Sequence, residues 1–153
     1  MRATASTALF VCVGVLTAAF ACSSSGPSRP PQQTGSSCTT TTNCYPGIDA
    51  ATLKGTATCL TQLQGGYCTH TCTSDSDCCA VPGECPSGFT EVCAPLESAP
   101  QTYCFLSCSS TAIAAAPNGG TTDPTAYCQS FANPTFTCRS TGGGSANQKF
   151  CGP

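Results

Sequence analysis

Hydrophobic and polar positions divide the chain into three stretches of unlike texture. Ala8 to Ala21 is an uncharged apolar run of 14 residues behind the single positive charge of Arg2. It falls short of the ~20 residues a membrane-spanning helix needs and matches the apolar region of an export signal. Ser23 to Ser37 holds only Ser, Gly, Pro, Gln, Thr and one Arg, with nothing to bury. Its composition predicts a disordered tether with a mean span of about 20 Å. From Cys38 onward large apolar residues are sparse and recur in one pattern. Thr56-Ala57-Thr58-Cys59, Thr90-Glu91-Val92-Cys93 and Thr135-Phe136-Thr137-Cys138 each precede a Gly- or Pro-bearing polar loop. Each loop closes on an aromatic-Cys pair, at Tyr67-Cys68, Tyr103-Cys104 and Phe150-Cys151. Thr, Val and aromatic residues flanking such loops predict three short β-hairpins. Helix is expected at Pro124 to Ala132, where Asp123 can cap the first turn and Pro124 suits the first helical position. A shorter turn over Ser109 to Ala116 is broken by Pro117-Asn118-Gly119-Gly120, and a further turn is expected around Asp49 to Lys54. Gly142-Gly143-Gly144-Ser145 reads as a loop tip and is wrongly placed for a phosphate loop.

The cysteines make the recurrence explicit. Cys38-x5-Cys44-x14-Cys59-x8-Cys68 is followed by Cys72-x5-Cys78-x14-Cys93-x10-Cys104, with the first two spacings identical. Cys108-x19-Cys128-x9-Cys138-x12-Cys151 keeps four cysteines but opens with a longer spacing. A repeated frame of this kind predicts three units, about 38–71, 72–107 and 108–153. Cys79 and Cys85 are left over inside the second unit and are expected to bond to each other across Pro82-Gly83. Adjacent Cys78 should then tie in the other direction. If the remaining disulfides close within units, 27 connectivities stay open, because spacing alone does not choose between partners.

The expected fold class is therefore small and disulfide-rich, irregular, with short β-hairpins in about three Cys-repeat units and one or two short helices. Tyr45, Tyr67, Phe89, Tyr103, Phe105, Tyr127, Phe131, Phe136 and Phe150, with a handful of Leu, Ile and Val, are too few to predict an ordinary core. Disulfides, at about 2–4 kcal/mol each, are expected to supply the difference. Such a fold needs an oxidising compartment, and export provides one. Reduced, it should unravel.

Cysteine parity bears on Cys22. The chain has 16 cysteines, and setting aside Cys12 in the leader and Cys22 at its end leaves 14. An unmodified Cys22 would make the number odd, which is unfavourable in an exported protein. Ala19-Phe20-Ala21-Cys22 resembles a bacterial lipobox, although the family usually has Leu where Ala19 stands. Ala19-Phe20-Ala21 also satisfies ordinary signal peptidase, which would give a freely secreted protein. Parity favours lipidation of Cys22. The expected organisation is a signal peptide over 1–21, the lipidated Cys22 and its tether over 22–37, and a disulfide-rich domain over 38–153. Two or three acyl chains would anchor it firmly, each buried methylene contributing about 0.8 kcal/mol. Ser23 after the anchor points to the outer membrane or cell surface.

Cys72-Thr-Ser-Asp-Ser-Asp-Cys78-Cys79, followed by Gly83-Glu84-Cys85 and Cys93, resembles the C-x-x-D-x-D-C modules of small Cys-rich lipoproteins of the deltaproteobacterial type. The Ala-Cys-Ser-Ser-Ser-Gly start is similar to theirs too. The stretch is distantly similar to the N-terminal cysteine-rich module of Dickkopf proteins, which bind other proteins. The resemblance covers about Cys38 to Cys108 and implies a surface-exposed, non-enzymatic module.

Charge narrows the function further. Charged residues make up only 8% of the chain, with five basic against seven acidic. Arg29, Lys54, Arg139 and Lys149 stand apart from one another, so nucleic acid is not an expected partner. Cys68-Thr69-His70-Thr71-Cys72 gathers zinc-type ligands without the paired Cys-x2-Cys knuckles of zinc folds. Asp75, Asp77 and Glu84 offer carboxylates to calcium but lack the rest of an EF-hand loop, and turn-capping is the simpler role for the aspartates. His70, the only imidazole, has no Ser or carboxylate at a recognised catalytic spacing, and no Cys-x-x-Cys redox motif is present. The expectation is an envelope protein without enzymatic activity or cofactor. The membrane would be its partner through the lipid, and a protein or surface ligand through the loops Leu60 to Gly66 and Ala94 to Thr102. A secreted protease-inhibitor-like protein is the alternative, a zinc-binding protein a more distant one, and a purely structural envelope component the simplest version.

Overall fold

The computed structural model describes residues 33–97, 100–117, 121–142 and 147–153. The export leader, Cys22 and the tether through residue 32 lie outside these residues, as do Asn118-Gly119-Gly120 and most of the Gly142–Ser145 loop tip. The described part is a small disulfide-rich fold of three antiparallel hairpins and two short helices. Strands β1 (Ala57–Cys59) and β2 (Cys68–His70) form the first hairpin, β3 (Glu91–Pro95) and β4 (Thr102–Leu106) the second, and β5 (Thr137–Ser140) and β6 (Lys149–Gly152) the third.

Register explains the cysteine pattern. In every hairpin the two strand cysteines sit directly opposite each other: Cys59 and Cys68, Cys93 and Cys104, Cys138 and Cys151. They do not bond to each other. Each reaches back to a cysteine of the segment in front, giving Cys38–Cys59 with Cys44–Cys68, Cys72–Cys93 with Cys78–Cys104, and Cys108–Cys138 with Cys128–Cys151. All three units thus use first-to-third and second-to-fourth connectivity. The seventh disulfide, Cys79–Cys85, joins the surplus pair. Cα separations of 5.2–6.0 Å lie inside the range disulfides span without distortion.

The front loops repeat as well. A 3-10 turn at Thr41–Asn43 is bound by Asn43 Oδ1, which accepts from the Thr39 and Thr40 amides at 3.1 and 3.0 Å. Its counterpart at Asp75–Asp77 is bound by Asp77 Oδ2, which accepts from the Thr73 and Ser74 amides at 2.7 and 3.0 Å. Both turns also cover the outer edge of their hairpin. The Cys59 amide donates to Thr41 Oγ1, and the Cys93 amide donates to Asp75 Oδ1 at 2.8 Å. Side chains satisfy donors that a bare strand edge would leave open.

In the third unit the longer front segment folds into helices α1 (Ser110–Ala115) and α2 (Pro124–Phe131). Asp123 caps α2, its carboxylate accepting from the Thr125 and Ala126 amides, with Pro124 in the first turn. Tyr127, Cys128 and Phe131 share the buried face of α2. Successive units are joined the same way each time. Thr71, just before Cys72, bridges to Tyr103, and Ser107, just before Cys108, bridges to Phe150.

One expectation needs correction: a continuous apolar core is present. Tyr67, Phe105 and Phe136, one from each unit, meet with centroids 5.4–6.4 Å apart. Phe150 packs on Phe105, and Phe131 bridges Phe89 and Tyr127. Leu60, Leu63, Leu96, Leu106 and Ile113 fill around the rings. Aromatic residues bury large areas each, so a low count of apolar residues understated what they enclose. A second correction concerns the domain start. Residues 33–37, assigned to the tether, are built into the domain: Thr34 is fully buried, Gly35 N–H donates to the Cys68 carbonyl and Cys68 N–H to the Ser36 carbonyl.

Candidate functional site

Two arrangements stand out, one buried and one open. The buried one is centred on His70, which β2 turns inward beside the second unit's extra loop. Nδ1 donates to the Thr71 carbonyl at 2.8 Å, and Nε2 lies 2.6 Å from Glu84 Oε1, both side chains being 0% exposed. A carbonyl accepts only, so Nδ1 carries a hydrogen, and the short contact on the other side requires a proton between Nε2 and the carboxylate. The two side chains therefore form a buried, hydrogen-bonded acid–base pair that shares one proton. Burial alone would lower the His70 pKa, but the Glu84 carboxylate and the Thr71 carbonyl outweigh it and hold it above its usual value. Burial likewise works to raise Glu84, and the hydrogen bonds from His70 and the Val81 and Cys79 amides hold it below its usual value instead.

Those amide bonds, 2.9 Å from Cys79 and 3.0 Å from Val81, clamp Glu84 within the loop that Cys79–Cys85 closes. The same loop grips the N-terminal segment: Thr34 N–H donates to the Glu84 carbonyl, and Gln33 Nε2 to the Gly83 carbonyl at 2.7 Å. Thr34 Oγ1 shares a 2.7 Å hydrogen bond with the buried Tyr45 hydroxyl, and burial raises that phenol's pKa far above its usual value. The centre joins unit 1, the extra loop of unit 2 and residues 33–34.

The structure gives the sequence-predicted site residues definite places. The zinc-type set is dispersed among other bonds: Cys68 is joined to Cys44, Cys72 to Cys93, and His70 to Glu84. Three sulfurs of each unit, for example Cys38, Cys44 and Cys68, lie within 4.8 Å of one another because the two disulfides stack. The three carboxylates considered for calcium point at donors rather than converge. Asp77 binds the Thr73 and Ser74 amides, Asp75 takes the Cys93 amide and the Gln148 side chain, and Glu84 pairs with His70. Uncharged Asn43 performs in unit 1 the task of Asp77 in unit 2, so that task is turn-building. The acid–base pair of His70 and Glu84 was missed from sequence. No motif links residues 14 apart in this way; the one hint was a carboxylate beside a surplus cysteine.

The two candidate contact loops divide between core and surface. Leu60, Leu63 and Gly66 of the first, and Ala94 and Leu96 of the second, face the core. Among the described residues, Thr61, Gln62, Gln64 and Gly65, and Pro95, Glu97, Pro100 and Gln101, are what those loops expose. The open arrangement uses the end of the second loop. A surface groove of ≈ 380 Å³ runs between the first two hairpins, lined by Lys54, Thr56, Thr58, Thr73, Gln101 and Thr102. Gly55 allows its walls to meet, since a Cβ there would lie 1.7 Å from the Thr71 carbonyl oxygen. The groove offers hydroxyls, an amide and one ammonium. Comparison with protein-family models, curated proteins and solved structures returns no match to this chain.

Proposed function

We propose that the protein is an exported cell-envelope lipoprotein, anchored through Cys22, whose disulfide-rich domain acts by contact and carries no catalytic step. The observation that carries this reading is the pairing of all 14 cysteines from Cys38 onward into seven disulfides. Full oxidation belongs to an exported chain, and it leaves Cys22 as the cysteine that parity assigns to lipid, in line with the resemblance to small Cys-rich bacterial lipoproteins. A non-enzymatic role is supported by His70, the only imidazole, being enclosed and committed to Glu84. The groove edged by Lys54, the threonines and Gln101 is the contact face we assign, a rigid polar surface whose ordering is complete before a ligand arrives. An inhibitor-like role has less support, because the leucines of both candidate loops face the core.

The test is the intact mass of the protein purified from membranes, before and after reduction and alkylation. A diacylated or triacylated Cys22, no free thiol before reduction and 14 alkylated cysteines after it are expected. A chain cleaved elsewhere than before Cys22, or one with free thiols in the native state, would overturn the reading.

A further inference from the structure

Cys79–Cys85 differs from the other six disulfides in four ways. The repeat does not require it, for units 1 and 3 have no counterpart. It spans 6 residues, where the others span 21–30. It is the only one of the seven with neither cysteine buried. Finally, Cys79 holds a left-handed backbone (φ 64°), which a side chain with a Cβ disfavours. A short loop gains least from cross-linking, and the least buried disulfide is the one most open to attack by a thiolate. What the loop holds is not trivial, however. Its Cys79 and Val81 amides bind the carboxylate that pairs with His70, and its Gly83 and Glu84 carbonyls bind Gln33 and Thr34.

We propose that Cys79–Cys85 is a redox latch: its reduction by a dithiol opens the 79–85 loop, uncovers His70 and loosens residues 33–34, while the six repeat disulfides hold. In the step, a thiolate of the dithiol attacks one cystine sulfur and the Cys79–Cys85 bond breaks. The second thiol of the reductant then displaces the mixed disulfide. Two electrons and two protons pass to the protein, leaving two cysteine thiols, and the dithiol leaves as its own disulfide. Opening withdraws two amide donors from Glu84 and two carbonyl acceptors from the N-terminal segment. The segment stays attached at its base, where Gly35 and Ser36 pair with Cys68. The change therefore acts on the place where the tether enters the domain.

The chain has one histidine, so diethyl pyrocarbonate acylation followed at 240 nm reports on His70 alone. The oxidised full chain is titrated with dithiothreitol, with alkylation and peptide mapping at each point. Cys79 and Cys85 should be the first pair alkylated, and at that point His70 acylation should speed up by roughly tenfold or more with near-UV circular dichroism retained. Reduction of another pair first, or reduced Cys79 and Cys85 with His70 still protected, would overturn the latch. A second measurement uses the Cys79→Ser/Cys85→Ser chain without reductant. It should fold with six disulfides and show the fast acylation; failure to form the six, or a protected His70, also sinks the proposal.

Discussion

Units 1 and 3 reach the same disulfide connectivity from different front segments. Unit 1 has a five-residue spacing closed by the 3-10 turn Thr41–Asn43, and its small cluster of Tyr45 and Leu53 packs largely on cystines. Unit 3 has nineteen residues there, folded into α1 and α2, and it contributes Tyr127, Phe131, Phe136 and Phe150 to the main core. The shared feature is the hairpin with two cysteines in direct register. Connectivity is thus set by the hairpin, which places two sulfurs side by side facing the front segment. The front regions differ in what they add: that of unit 1 packs largely on cystines, whereas α2 of unit 3 brings Tyr127 and Phe131 to the main core.

The sharpest way to break this contrast is Phe136→Ala. Phe136 is fully buried against Tyr67 and Phe105, so truncation should cost about 3–5 kcal/mol. Because it touches all three units, urea denaturation of the oxidised protein should remain one lowered transition. A loss under about 1 kcal/mol would mean cystines alone carry the fold.

Glu84→Gln comes next, with an expected loss of about 3 kcal/mol at neutral pH, since it leaves a buried imidazole without its counter-charge. The same variant tests the pH profile. His70, with its pKa raised, contributes stability that is full below about 6.5 and is lost as pH rises through the raised value. Glu84, with its pKa lowered, contributes stability that is full above about 4.5 and is lost as pH falls through the lowered value. The thermal midpoint should therefore be highest between those two values and fall on either side, and Glu84→Gln should flatten the profile. An unchanged profile would show that the pair is not the titrating element.

Removing Cys38–Cys59 through paired Ala substitutions should cost about 2–4 kcal/mol. Amide exchange should quicken mainly in 38–60, while the α2 amides keep their protection; equal loosening in α2 would erase the distinction between the units. The smallest effect is expected for Asp77→Asn. Asn43 already does this work in unit 1, so the thermal midpoint should move by no more than about 2 °C. A larger drop would mean that the charge matters in unit 2.

Much of the fold was legible in the residues. Thr-rich segments ending in Cys, and aromatic-Cys closures, predicted the hairpins at Ala57–Cys59 with Cys68–His70 and their two counterparts. Asp123-Pro124 predicted the start of α2, and parity within unit 2 predicted Cys79–Cys85. These are local signals: turn chemistry, capping and short loop closure act within a few residues of one another. The candidate site was not legible. His70 and Glu84 meet because the 79–85 loop folds back over β2, and the groove exists because Lys54, ahead of the first hairpin, and Gln101, in the loop of the second, line one surface. Burial was misjudged for the same reason, since Leu63 and Leu96 lie in polar-looking loops whose neighbours arrive from elsewhere in the chain.

The sequence by itself determined the fold class, the repeat, the hairpins and the surplus disulfide, because each depends on spacing and on contacts between near neighbours. The tertiary structure alone decided which of 27 pairings the units adopt, how one aromatic from each unit meets in a shared core, and that a lone histidine is enclosed with a carboxylate. Those outcomes are set by long-range packing, where register and burial bring together residues that no local pattern connects.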